Sequence, residues 1–70
     1  MEVVKVGDIY NLKSNDSFLA GKYADQETAK YAADNLCLEQ LETLWVYALI
    51  NQGKSVIEKA DVLIFISQPN

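Results

Sequence analysis

The chain of 70 residues has no histidine, one proline and a single cysteine, Cys37. Without histidine it lacks the commonest general base at neutral pH, the commonest metal-ligating side chain and the ordinary pH switch. One cysteine excludes an internal disulfide and every multi-cysteine zinc or iron–sulfur site, and it suits a reducing compartment. The longest unbroken apolar run, Leu44 to Ile50, falls far short of the roughly 20 residues a membrane-spanning helix needs. The opening Met1-Glu2-Val3-Val4-Lys5 lacks the basic and apolar regions of a secretory signal, so a cytoplasmic location is expected. No cofactor is implied, and no membrane partner.

Half of the residues are apolar and four are tyrosine, enough for collapse around one small core rather than disorder. A single α+β domain over residues 1–70 is expected. The net charge of −4 is unevenly placed. Residues 1–23 set Glu2, Asp8 and Asp16 against Lys5, Lys13 and Lys22, and residues 53–70 set Glu58 and Asp61 against Lys54 and Lys59. The excess therefore lies in residues 24–52, where Asp25, Glu27, Asp34, Glu39 and Glu42 face Lys30 alone. Such a surface repels phosphate backbones and attracts basic partners.

Residues 3–12 are rich in strand formers, with Val4, Val6, Tyr10 and Leu12 on one alternation and Gly7-Asp8 as a bulge or kink. Ser14-Asn15-Asp16-Ser17 is a turn cluster, and Phe18 to Tyr23 reads as a return strand, giving an N-terminal β-hairpin packed on one or two helices. Asp25 is placed to cap a first helix in which Ala29, Ala32, Ala33 and Leu36 recur at helical spacing until Asp34-Asn35. A second stripe of Leu38, Leu41, Leu44, Trp45 and Ala48 stops near Gly53, with Trp45 as a core anchor. Residues 44–50 are apolar on all sides, so a buried strand stays open there. As a helix they would leave Val46 and Ile50 off the stripe, for the sheet, a second copy or a partner to cover. For residues 62–67, Val62, Ile64 and Ile66 favour a further strand, with a helix capped by Asp61 as the alternative.

No motif carries chemistry with specificity. Ala48 to Ser55, A-L-I-N-Q-G-K-S, ends like a phosphate-binding loop but lacks its first glycine. It reads more simply as a helix stop at Gly53 followed by an exposed Lys54. Cys37 has no histidine to activate it and reads as a core cysteine. Glu39 and Glu42, at i and i+3, share a helix face, where two carboxylates can pair as acid and base or hold a hard cation but more commonly meet solvent. On the hairpin, Lys5, Lys13 and Lys22 with Tyr10 make a candidate nucleic-acid ribbon, nearly balanced by carboxylates.

The segment Gly21 to Asp34, G-K-Y-A-D-Q-E-T-A-K-Y-A-A-D, is a hairpin exit followed by an alanine-rich helix. It resembles the corresponding segment of phage integrase arm-binding domains and of short phage accessory proteins. That resemblance implies a sheet packed on a helix and carries over no binding residue. The expected function is non-enzymatic. A small acidic protein of this kind is expected to bind another protein through a basic surface, as a phage- or mobile-element-type modulator or inhibitor of a host complex, the anti-CRISPR kind included. Asp25, Glu27, Tyr31, Asp34, Glu39, Glu42 and Tyr47 are the candidate contact residues. The alternative is a nucleic-acid accessory module using the hairpin, and a homodimer burying the Val46–Ile50 face is compatible with either.

Overall fold

The computed structural model describes residues 1–67, and over these the chain is α+β. Three strands, β1 (Glu2–Val6), β2 (Ile9–Ser14) and β3 (Ser17–Phe18), precede three helices, α1 (Gln26–Asn35), α2 (Leu38–Asn51) and α3 (Lys59–Ser67). The strands form an antiparallel sheet in the order β1-β2-β3. Gly7-Asp8 is not a bulge but a two-residue turn: Val6 pairs with Ile9, and Gly7 takes φ 65°. A second two-residue turn, Asn15-Asp16, has φ of 52° and 66°, the left-handed pair that suits the twist of a tight hairpin and that Asn and Asp tolerate best.

The first turn corrects the expected alternation. Because the two-residue loop pairs Val3 with Leu12 and Lys5 with Tyr10, each pair shares one face, and the other face carries Val4 with Asn11 and Val6 with Ile9. Leu12 is buried and Val3 packs beside it, whereas Val6 points outward and is 45% exposed. The expected return strand over Phe18 to Tyr23 is broken for a similar geometric reason. Phe18 pairs with Lys13 but Tyr23 pairs with Tyr10, so the returning chain spends two extra residues, a bulge around Ala20-Gly21.

Tyr23 is the hub. Its backbone exchanges hydrogen bonds with Tyr10 (2.9 and 2.8 Å), and on its other side Ile57 joins in parallel through Lys22 and Ala24 (2.7 and 2.9 Å). Tyr10, Tyr23 and Ile57 therefore form a row across one sheet face. The last two are fully buried and join Leu12, Ala29, Ala32, Leu36, Leu41, Leu44, Ala48 and Val62 in the core.

α1 packs on this face, and α3 packs on α1. Asp25 caps α1 by accepting from the Thr28 N–H at 2.7 Å, and the Asn35 side chain closes the helix by donating to the Tyr31 carbonyl at 2.8 Å. α2 runs through the apolar segment without becoming a strand and ends at Gly53, φ 64°. Leu41, Leu44 and Ala48 face the core, Trp45 is half-buried against it, and Leu38, expected on this stripe, is 52% exposed.

The C-terminal segment is a helix, not a strand. Its N-terminus is closed by Asp61, whose carboxylate accepts the Glu58 N–H at 2.9 Å from inside the first turn. That cap, with Val62 locked into the core, outweighs the strand preference of Val62, Ile64 and Ile66. Among the described residues no helix is long and apolar enough to cross a membrane.

Candidate functional site

The candidate acidic residues separate into two groups. At the start of α1, Asp25 is engaged as the cap, and the Thr28 backbone hydrogen bond, helped by the Thr28 side chain and by Lys59, holds its carboxyl below the usual carboxylate value. Glu27 accepts from Lys59 Nζ at 2.7 Å across 32 residues of sequence. The Lys59 ammonium lies 5.4 Å from the Tyr31 ring centroid, and its hydrogen bond to Glu27 is the main cause of a raised pKa. One lysine from α3 thus gathers Glu27 and Tyr31 and screens Asp25. This exposed clasp ties α3 to α1 and leaves those three residues partly satisfied within the chain.

α2 is different. Its fourteen residues contain no lysine, and its first half carries Glu39 and Glu42. Together with Thr43 and Val46 they line a shallow open depression along one helical face, spaced i, i+3, i+4 and i+7. Glu39 lies in the first turn, where the helix dipole favours a carboxylate, and the Thr43 hydroxyl donates to the Glu39 carbonyl at 3.0 Å. Neither glutamate forms an ion pair among the described residues.

Asp34 is exposed in the last turn of α1, a turn without a basic residue, at the helix end where a negative charge is unfavourable. Tyr47 is half-buried; its ring meets Phe65 of α3 at a centroid distance of 6.5 Å, and its hydroxyl accepts from Gln52 Nε2 at 3.1 Å. It joins α2 to α3 and does not belong to the Glu39–Glu42 depression.

The hairpin lysines are not gathered on one surface. Lys5 shares a sheet face with Tyr10, which packs against the core. Lys13 lies on the opposite face, 5.7 Å from the Phe18 ring centroid, and Lys22 belongs to the irregular segment before Tyr23. All six basic residues of the chain are lysine, so the planar fork that arginine offers to guanine or phosphate is missing.

Two features escape the sequence. Lys54 is not a free surface residue after a helix stop. Its ammonium reaches both oxygens of the buried Asp61 carboxylate (3.1 and 3.2 Å) and Glu58 (3.2 Å), and these hydrogen bonds, that to Asp61 first, raise its pKa. The seven-residue spacing across a non-helical connection gave no signal for this. Cys37 is exposed at the start of α2 rather than in the core, where its N–H donates to Gln40 Oε1 at 3.0 Å. A glutamine three residues after a small polarisable residue is a partial capping-box signature. No group of three histidine, cysteine, aspartate or glutamate side chains able to hold a metal ion occurs among the described residues.

Compared with known proteins, the chain matches no family model, no curated protein and no solved structure.

Proposed function

We propose that the protein is a non-enzymatic binding module that takes a protein partner with a basic surface on the outer face of α2. The supporting observation is the contrast between the two acidic groups. Glu27 and Asp61 are matched by Lys59 and Lys54, while Glu39 and Glu42 stand beside Val46 and form no ion pair among the described residues. Two unpaired carboxylates next to an apolar side chain suit a partner helix or loop bearing lysine or arginine around an aliphatic anchor. In that role the chain acts as a modulator or inhibitor, of the phage or mobile-element type suggested for the sequence, by occupying a surface its partner uses for an acidic ligand.

The test is affinity capture from a nuclease-treated lysate with the wild-type chain and a Glu39→Lys/Glu42→Lys variant, followed by titration of the captured protein in purified form. Binding by a basic protein that weakens at least tenfold in the variant and weakens with salt supports the proposal. Equal binding by both chains refutes it, and salt-sensitive binding to random duplex DNA that Lys5→Ala/Lys13→Ala/Lys22→Ala abolishes replaces it with the nucleic-acid function.

A further inference from the structure

The outer face of α2 extends beyond the acidic depression. The helix buries Leu41, Leu44 and Ala48. At about 3.6 residues per turn its opposite side carries Glu39, Glu42, Thr43, Val46, Leu49 and Ile50, spaced i, i+3, i+4, i+7, i+10 and i+11. All six are exposed, and Ile50 is the most exposed of the three aliphatic ones, at 75%. They form one stripe about 16 Å long, with both carboxylates at its N-terminal end and the aliphatic side chains towards the other.

Two properties of this stripe select its occupant. The first is that the middle of a helix offers side chains only, because its N–H and C=O groups are paired internally. An extended segment laid on it would leave the backbone groups of its inner side unpaired. A helix satisfies its own backbone and presents side chains at the same three- and four-residue spacing. The second property is the order of charge. A second copy of α2 has no lysine to bring. Laid antiparallel it would set Glu39 and Glu42 against Leu49 and Ile50, and laid parallel it would set carboxylate against carboxylate. An anionic membrane surface would be repelled by both glutamates. A helix with cations at one end and aliphatic residues at the other matches the stripe along its length. The helix dipole sets its direction. Antiparallel to α2, it brings its C-terminal turns, where lysine and arginine are favoured, over Glu39 and Glu42. Parallel, it would need cations in its first turns, where the dipole opposes them.

Resting on the reading of this face as the partner-binding one, we infer that its occupant is an amphipathic helix lying antiparallel on α2. Lysine or arginine in its last two turns meets Glu39 and Glu42, and aliphatic residues before them meet Val46, Leu49 and Ile50. A synthetic peptide of about 18 residues, long enough to be helical alone, tests this. It carries leucines at helical spacing on one stripe, lysines only in its last two turns, and alanine and glutamine elsewhere, and the anisotropy of a fluorescent label on it reads its affinity. The wild-type chain is expected to bind it at least tenfold more tightly than the same composition with the lysines moved to the first two turns, or with proline at its centre. Glu39→Lys/Glu42→Lys and Val46→Ser/Ile50→Ser should each weaken binding at least tenfold with unchanged circular dichroism, since all four positions are exposed. Equal affinity for the moved-lysine or the proline peptide overturns the inference, even where Glu39→Lys/Glu42→Lys still weakens binding and so upholds a basic partner. Indifference to Val46→Ser/Ile50→Ser overturns it as well. Binding indifferent to Glu39→Lys/Glu42→Lys overturns both readings. No binding up to about 1 mM peptide overturns the helix alone, because the protein captured from lysate tests the broader reading separately.

Discussion

Replacing Tyr23 by phenylalanine should stabilise this protein, although Tyr23 is the hub of the fold. Its side chain is completely buried, and its hydroxyl has no hydrogen-bond partner among the described residues. Gly21 closes over it: a methyl group there would stand 3.2 Å from the hydroxyl oxygen. The interactions that make Tyr23 a hub, to Tyr10 and Ile57, run through the backbone and survive the change. A buried polar group without a partner costs about 1–3 kcal/mol, against which the lost hydroxyl leaves only a small void. A net gain of about 1 kcal/mol raises the melting temperature of a domain this size by about 4–8 °C. The same burial pushes the phenol pKa up to about 12. The folded state therefore holds the proton more tightly than the unfolded chain, whose phenol titrates near 10. The stabilisation this represents is complete below pH 10 and is lost as the pH rises through 12, a fall of up to about 2–3 kcal/mol for a shift of this size. Denaturant titrations of both proteins between pH 7 and 12 are the assay, with the difference between them isolating Tyr23 from the lysines that titrate in the same range. A phenylalanine variant that is less stable at pH 7 would show that the hydroxyl is hydrogen-bonded, and an unchanged alkaline limb would show that the alkaline loss does not come from Tyr23; either result refutes the reasoning.

Gly21→Ala should lower stability by about 1–3 kcal/mol, because φ is 119° and the new methyl meets the Tyr23 hydroxyl. In a double-mutant cycle by thermal melts the loss should be smaller on the Tyr23→Phe background; full additivity would mean that backbone strain alone is responsible. Asp61→Ala removes the acceptor of the Glu58 N–H and the buried partner of Lys54, and urea denaturation should register a loss of about 2–3 kcal/mol. Asp61→Asn, which keeps an acceptor for the Glu58 N–H, should lose less, and equal losses would argue against the cap. Asp34→Ala should raise the melting temperature by a few degrees, through about 0.5–1 kcal/mol of relieved helix-end repulsion and better helix propensity. A lower melting temperature would reveal a favourable role for Asp34 within the fold.

What the sequence conveyed, and what it withheld, follows from how far apart the deciding residues are. α1 was readable because its signals are local: Asp25 as cap, alanines at helical spacing, and Asn35 at the end. The Asn15-Asp16 turn was readable for the same reason, since both residues tolerate positive φ. Gly7-Asp8 was ambiguous because a glycine between two strand-forming stretches serves a bulge as well as a two-residue turn, and the choice reverses which valines face the core. α3 was misleading because its β-branched residues carry a strand preference, while what decides its state is the Asp61 carboxylate on the Glu58 N–H and on Lys54. Strand addition does occur near this region, but it is made by Ile57, whose pairing with Tyr23 joins residues 34 apart. In the candidate site, the shared face of Glu39 and Glu42 was visible from i, i+3 spacing. The withdrawal of Asp25, Glu27 and Tyr31 into the Lys59 clasp was not, because the lysine lies on another helix.

That distribution of lysines bears on function more directly than the net charge does. Lys54 and Lys59 flank the start of α3 and are committed to Asp61, Glu58 and Glu27, contacts that fix α3 in place. Of the central segment's carboxylates Glu27 alone is paired in this way, and Glu39 and Glu42 on α2 form no ion pair among the described residues. Ordinary solubility would be served by scattered carboxylates anywhere on the surface. An acidic depression that adjoins Val46, on a helix with no lysine, instead concentrates charge beside an aliphatic contact point. From Thr43 onward α2 carries no charged side chain, so the helix confines its charge to its first half. A partner that answered the proposal would therefore have to bring cations to Glu39 and Glu42 and an aliphatic group to Val46 at once, since the three line one depression.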